Sequence, residues 1–281
     1  MNEIIEVFRP GKCFPSVSVT GGECALNCRH CAGHYLRGMK PARTPNELIS
    51  LARSLDEAGA LGFLLSGGSD PEGRVPLERF TDAIRLIKDE TSLSINAHVG
   101  LAPVATLDDL VSAGVDAFSV DVYGSAKVIR EALGLSATPD DFLRVVSDLE
   151  AVGAQVVAPH VCIGLEPGDL SGEFGAIRLL ESAGAKKLVL IAFTPTKGTP
   201  YASHSPPAPE EIIEVTRFAR AHMPRTRLLL GCMRPRSTRG YEVEAAVAGV
   251  DGIAMPSGDT VRRLRTQGVD LKEKPICCAF A

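Results

Sequence analysis

One phrase recurs along this chain: a helical stretch, a glycine, then an apolar run. It reads SLDEAGALGFLLSGG, DLVSAGVDAFSVDVYG, DLEAVGAQVVAPHVCIGL, LLESAGAKKLVLIAFTP and AAVAGVDGIAMPSG. Gly59, Gly114, Gly153, Gly184 and Gly249 stand where each helix must end, and glycine takes the left-handed conformation that ends one. The runs that follow are too continuously apolar for a strand with one wet face, so they read as strands buried on both sides. SVSVTG from Ser16, SLSINAH from Ser92 and RLLLG from Arg227 bring the strands to eight. Intervening segments such as ELISLARSLDEAG and EEIIEVTRFARAH space their apolar residues as helices do. Eight βα units in 281 residues predict one α/β domain over 1–281, a closed (β/α)8 TIM-type barrel. Residues 1–15 read as an N-terminal extension and 268–281 as a short cysteine-containing C-terminal tail. An open doubly wound sheet is the competing architecture. SHSPPAP at 203–209 is a loop before a helix, too short to part domains.

Such a barrel places its chemistry in the loops after the strands. The net charge of −4 gives no basic footprint for nucleic acid and no reason to expect a membrane surface. No apolar run is long enough to span a bilayer, and MNEIIEVFRPGK lacks the pattern of a signal peptide. A cytoplasmic protein is expected. In that compartment eight cysteines suggest metal or redox chemistry rather than a disulfide scaffold.

Directly after SVSVTG comes GGECALNCRHCAG, with Cys24, Cys28 and Cys31 in C-x3-C-x2-C spacing. Three thiolates on a short loop can hold three irons of a cubane and leave the fourth open. A structural cluster or zinc site wants four ligands, and a zinc knuckle completed by His30 or His34 is the alternative. The motif, at the end of a first barrel strand, resembles the radical S-adenosylmethionine (SAM) superfamily. That resemblance implies a [4Fe–4S] cluster and SAM bound through its amino and carboxylate groups to the open iron. It also implies reductive cleavage of SAM to methionine and a 5′-deoxyadenosyl radical.

The resemblance extends to further positions. His30 falls where the family has a ring near the adenine. SGGSDPEG resembles the glycine-rich segment that offers Ser66, Gly67, Gly68 and Ser69 to the methionyl end. Asn96 and His98 end the third strand, and Asp121 ends the fourth, where a carboxylate can accept hydrogen bonds from ribose hydroxyls. An ordinary turn and a structural Asp are the bland readings of these segments. IGLEPGD resembles the family's Gly-Leu-Gly-Glu stretch around Glu166, altered at Pro167 and Gly168. FTPTKGTPY resembles the PxxGTPL segment of biotin synthase, which helps form the adenosyl pocket.

Cys13, Cys162, Cys232, Cys277 and Cys278 remain. Cys162, inside VVAPHVCIGL, reads as a small buried hydrophobe. Cys277 and Cys278 are adjacent in an exposed-looking tail, KEKPICCAFA, which is long enough to cross or cap the barrel. Cys13 precedes the first strand, and Cys232 ends the seventh in GCMRPR, where biotin synthase places an arginine ligand. A second, auxiliary [4Fe–4S] cluster held by Cys13, Cys232, Cys277 and Cys278 is expected; a redox-active or metal-relay tail is the rival.

GKCFPSVSVTG leading into CALNCRHC, then GCMRPR and CCAF, resembles one subunit of the two-protein lipoyl synthase of archaea and some bacteria. The chain departs from ordinary lipoyl synthase, lacking its N-terminal cysteine set. The resemblance implies sulfur insertion into an octanoyl group on a lipoyl carrier protein, at C6 or C8, from a sacrificial auxiliary cluster. It implies a paralogous radical SAM subunit as heterodimer partner, and an electron donor protein. The channel is expected to be apolar, with Arg234 and Arg236 near its mouth or the cluster. Another radical SAM reaction, a methylation or rearrangement with the second cluster as electron relay, stays open. So does a non-catalytic iron–sulfur scaffold.

Overall fold

The computed structural model describes residues 3–235 and 239–281. The strands are β1 Ile4–Phe8, β2 Ser16–Ser18, β3 Lys40–Pro41, β4 Gly62–Ser66, β5 Ser94–His98 and β6 Ala117–Asp121. They continue with β7 Val157–Ile163, β8 Lys187–Ala192, β9 Arg227–Leu230, β10 Gly252–Ala254 and β11 Asp270–Lys274. All pair in parallel, in the order β11-β1-β10-β9-β8-β7-β6-β5-β4-β2-β3. The helices are α1 Pro45–Glu57, α2 Thr81–Glu90, α3 Val104–Ser112, α4 Ala126–Val128 and α5 Pro139–Ala151. After them come α6 Ser171–Ser182, α7 Pro209–His222, α8 Glu242–Ala248 and α9 Gly258–Thr266.

The eight expected strands are β2 and β4 through β10, in sequence order. Gly59, Gly114, Gly153, Gly184 and Gly249 all have positive φ, from 70° to 109°, as the recurring phrase requires. The barrel-type architecture therefore stands, but its closure does not. β1 lies in what was read as an extension, and its residues pair with β10 (Glu6 with Gly252). It occupies the edge of β10 that closure would give to β2, and β11 then adds outside it. The sheet is a curled, open half-barrel. Both edges discourage further pairing: β11 is the charged, largely exposed DLKEK, and β3 contains Pro41.

Two apolar layers hold the curl. Outside, Leu48, Ile84, Leu110, Val145, Ile177 and Ile212 bury helix faces against the sheet. Inside, at the base, Phe8, Ala117, Ala158, Val189, Leu229 and Ala254 surround Cys278 and Ala279. Small residues at the start of β6 and β7 leave room for the tail. Phe280 meets Phe14 edge-on, with ring centroids 5.6 Å apart. The expected exposed tail is thus corrected: KEKPICCAFA leaves β11 and plugs the barrel base, with Cys278 only 5% exposed. Among the described residues no helix is long and apolar enough to cross a membrane.

Candidate active site

The cysteine loop follows β2 and is stitched to the loop after β4. Val19 N–H donates to Ser66 O at 2.8 Å, Ala25 N–H to Ser69 O at 2.9 Å, and Gly68 N–H to Thr20 Oγ1 at 2.7 Å. A Cβ on Gly68 would stand 1.9 Å from Glu23 O and 2.6 Å from Cys24 Cα, so only glycine lets the two loops meet. Asn27 and Ala32 both adopt positive φ, 46° and 45°, which costs energy for residues with a Cβ. That strain folds the loop back on itself around Cys28 and Cys31.

The ligand atoms of Cys28, His30 and Cys31 lie within 4.8 Å of one another. The Cys28 thiol donates to Cys31, which chiefly holds the Cys31 thiol down to about 4, with His30 assisting. The same bond and burial push Cys28 up. A metal would take the place of that shared proton, so the donor set suits one. Cys24 stands slightly apart, its thiol 3.9 Å from Ser69 O. His30 Nδ1 is buried without a hydrogen-bond partner. The loop fits a three-thiolate cluster, and backbone groups of the β4 loop lie beside it.

A cavity of about 250 Å³ adjoins the loop. Cys24, Cys28, His30 and Cys31 line it with Ser66, Gly67, Gly68, Ser69, His98 and Asp121, so the structure brings these predicted residues together. The Asp121 carboxylate is exposed and lines it. Asn96 is the exception. It is 1% exposed and bonds Ser119 and Cys277 below the cavity. Alternation explains the swap: Ser119, two residues before Asp121 on β6, faces the cavity instead. Ser119 and Tyr123 were missed, although the same i, i+2 rule from Asp121 could have found both. Burial, with the nearby Asp121 carboxylate, pushes the Tyr123 phenol well up. Glu166 pairs with Lys127 rather than lining the cavity. Tyr35 and Thr196, the latter from the PTKGTP segment, share a hydrogen bond at 3.1 Å.

Between the cavity and the apolar base the barrel interior carries polar side chains, where an apolar channel is expected. His98 on β5 faces His160 on β7 at 5.8 Å between ring centroids, with Asp121 paired in register to His160. Burial, then His98, lowers the His160 imidazole to about 4. Of three other cysteines, Cys232 is exposed just after β9, Cys277 is half-buried and Cys278 is buried. Cys232, Cys277 and Cys278 are in electrostatic contact with one another. The Cys277 thiol is lowered to about 7, chiefly by a hydrogen bond from Cys278, whose own thiol is pushed up. Desolvation of its thiol, then Cys277, pushes Cys232 up, although the residue as a whole is exposed. Cys13 comes near this base through its neighbour Phe14, whose ring meets Phe280, and no group of three or more ligand atoms among the described residues includes it. Cys232 is exposed and Cys278 buried, and among the described residues these thiols do not form a compact ligand set like that of Cys28, His30 and Cys31.

Arg234 is 3% exposed and bonds Glu242 at 2.6 Å and Ala254 O at 3.0 Å. It braces β9 against β10 close to Cys232, rather than standing at a channel mouth. Arg236 lies outside the described residues. Cys162 packs with Leu165, Phe193 and Tyr201, as a small hydrophobe would. Lys187, missed by sequence reasoning, sits at the base, and burial lowers its ammonium to about 8.

A curled parallel half-barrel with three cysteines at its mouth, beside a glycine-lined cavity, defines an enzyme of the SAM-cleaving iron–sulfur class. The Radical SAM superfamily model matches residues 18–168, and the chain belongs to that family. The family implies a [4Fe–4S] cluster and SAM. Curated relatives include the biotin synthase of Syntrophotalea carbinolica, 28% identical over 220 residues, covering 74% of this chain and 64% of that protein. The biotin synthase of Akkermansia muciniphila is 24% identical over 256 residues, covering 90% of this chain and 77% of that one. Among solved structures, methylornithine synthase superposes with a TM-score of 0.67 at 16% identity, covering 96% of this chain and 84% of that one. The FeFe-hydrogenase maturase of Carboxydothermus hydrogenoformans gives 0.67 at 16% identity, covering 99% and 69%. These two show the fold.

Proposed function

We propose that this chain inserts sulfur into an octanoyl group on a lipoyl carrier protein. In this reading it works with a paralogous radical SAM subunit and an electron donor protein. The observation that supports this is that Cys232, Cys277 and Cys278 lie within electrostatic reach of one another, and that Asn96 bonds both Cys277 and Ser119, which lines the cavity beside Cys28 and Cys31. A second group of cysteines tied to the cavity wall through Asn96 and Ser119 suits a reaction that needs sulfur as well as a radical. The relation to biotin synthases supports the same reading. When bound, the cluster and SAM supply a radical able to take hydrogen from an unactivated methylene. Cys24, Cys28 and Cys31 hold the first cluster, while Ser66, Gly67, Gly68 and Ser69 border the methionyl end. Asp121 accepts hydrogen bonds from the ribose, and His30 lies by the adenine. Cys232, Cys277 and Cys278 hold an auxiliary [4Fe–4S] cluster, with Cys13 as the candidate fourth ligand. We place the protein in the cytoplasm, where free thiols persist.

The test is anaerobic incubation with SAM, a reductant and an octanoyl-lysyl peptide, with and without the paralogous subunit, read by mass. Protein rebuilt with heavy-isotope sulfide should deliver the label to the product. Cys277→Ala should deliver none while still forming 5′-deoxyadenosine. Unlabelled sulfur in the product removes the sacrificial-cluster reading.

The polar interior favours one second reading. His98, His160, Asn96 and Ser119 line the interior below Cys28 and Cys31, where an alkyl chain would meet polar side chains. A rearrangement or methylation of a polar substrate, with the second site relaying electrons, would use that surface. Turnover without loss of cluster sulfide selects it.

A further inference from the structure

Lys187 opens β8 and points into the barrel base, where it is 7% exposed. A buried ammonium is costly unless its charge and its donors are met. The nearby carboxylate, Glu6, is already engaged by Arg227 at 2.6 Å. Lys187 Nζ instead donates to the main-chain carbonyl of Ala279, the residue after the cysteine pair. Besides Glu6, the negative charge within its reach comes from Cys278 and Cys277. The opposite side of the same turn is held by Asn96 on Cys277, and Phe280 is held by Phe14. Beyond its apolar packing, the tail is held by Asn96, Phe14 and Lys187, and of these Lys187 is the cation.

We propose that Lys187 is a positioning residue for the second cysteine site. It clamps the 277–279 turn into the barrel base and balances the negative charge that Cys232, Cys277 and Cys278 carry when they hold iron. The charge-balancing half rests on the auxiliary-cluster reading above; the clamp does not. A lysine here joins two roles: its donor fixes where the cysteine pair sits, and its charge offsets the thiolates of Cys277 and Cys278 beside it.

The test compares Lys187→Met, which keeps length and loses charge, with Lys187→Arg, which keeps charge. In the metal-free full chain, amide exchange of 278–281 should quicken by about tenfold or more in K187M, as loss of a charged hydrogen bond requires. K187R should stay near wild type. After anaerobic reconstitution, K187M should lose the second cluster's iron, or hold it at a more negative midpoint potential with an altered paramagnetic signal. The first cluster's signal should be unchanged, and K187R should restore the second. Unchanged tail exchange in K187M overturns the clamp. Quicker exchange with unchanged iron, potential and signal overturns the charge-balancing role. Cys277→Ser is the control for the cluster reading: full iron in C277S sinks that reading, while the exchange comparison still decides the clamp. Should K187M not fold, Lys187→Gln serves in its place under the same outcomes.

Discussion

Asn96 Nδ2 lies 3.6 Å from the Sγ of Cys277, 181 residues further along the chain. The same amide exchanges hydrogen bonds with Ser119 at 3.0 and 3.1 Å. Its donors and its acceptor are thereby all engaged. Because Ser119 also faces the cavity beside the cysteine loop, this one side chain joins the cavity wall to the tail that carries Cys277 and Cys278.

Replacing Asn96 by Leu should therefore cost about 1–3 kcal/mol, since it strands the Ser119 hydroxyl in a buried place. Urea unfolding of the metal-free protein measures this. The second site should lose iron and the first should keep it. A midpoint equal to wild type would show that the amide is not holding the tail.

Cys28→Ala should abolish formation of 5′-deoxyadenosine from SAM, because the cubane loses a covalent ligand. Cys162→Ala removes a small packed side chain among Leu165, Phe193 and Tyr201 and should leave SAM cleavage in place. Chromatographic assay of 5′-deoxyadenosine separates the two. Substantial product from the Cys28 variant would disprove the cluster assignment.

Gly68→Ala puts a methyl 1.9 Å from Glu23 O, against backbone that cannot rotate away. Overpacking of this kind costs roughly 1–3 kcal/mol. Here the strain falls between the cysteine loop and the loop after β4. First-cluster iron should drop more than overall stability does. Equal iron in the variant and wild type, at unchanged stability, would mean the two loops part freely.

Strand order and helix ends were legible because each depends on local rules. Gly114 needs a positive φ wherever its helix ends, and the apolar run after it needs two buried faces whatever its neighbours are. The cysteine loop was legible for the same reason: Cys24, Cys28 and Cys31 sit within one short turn. What escaped depends on contacts distant in sequence. Nothing in IIEVF says that β1 will take the edge of β10 and hold the sheet open. KEKPICCAFA reads as solvent-facing because its charges precede the cysteines, whereas the burial of Cys278 depends on Ala117 and Ala158 being small. Lys187 likewise looks like an ordinary charged strand start until the tail carbonyl reaches it.

Glu173 supplies a pH dependence. It is 6% exposed on α6, where it accepts the Gly164 N–H at 2.7 Å, and burial raises its carboxyl from 4.5 to about 7. Between those values the folded chain holds a proton that the unfolded chain has lost. Stability is thus full below the unfolded value and falls as pH rises through about 7. The loss is on the order of 3 kcal/mol. Glu173→Gln keeps an acceptor for Gly164 and removes the charge. It should match wild type near pH ~5 and exceed it near pH ~8 in urea unfolding. Parallel pH profiles for the two proteins would refute the raised carboxyl.

Truncation before Cys277 tests the division of the chain into two iron sites. The full chain, reconstituted anaerobically, should carry about eight irons if both sites hold cubanes. The truncated chain should carry about four, since Cys232 alone cannot hold a cluster. The cost of truncation is not only metal. Removing 277–281 uncovers Phe14 and leaves the Lys187 ammonium with no carbonyl to receive it, so the metal-free protein should also melt earlier. The mouth of the barrel lies on the other side of the polar layer formed by His98, His160 and Asn96. Cleavage of SAM should therefore persist in the truncated chain while any sulfur transfer stops. Iron analysis, thermal melting and 5′-deoxyadenosine assay on the same preparation give three separate readings. An unchanged iron content would show that Cys277 and Cys278 are not ligands. Loss of SAM cleavage along with the iron would show that the tail shapes the mouth as well as the base.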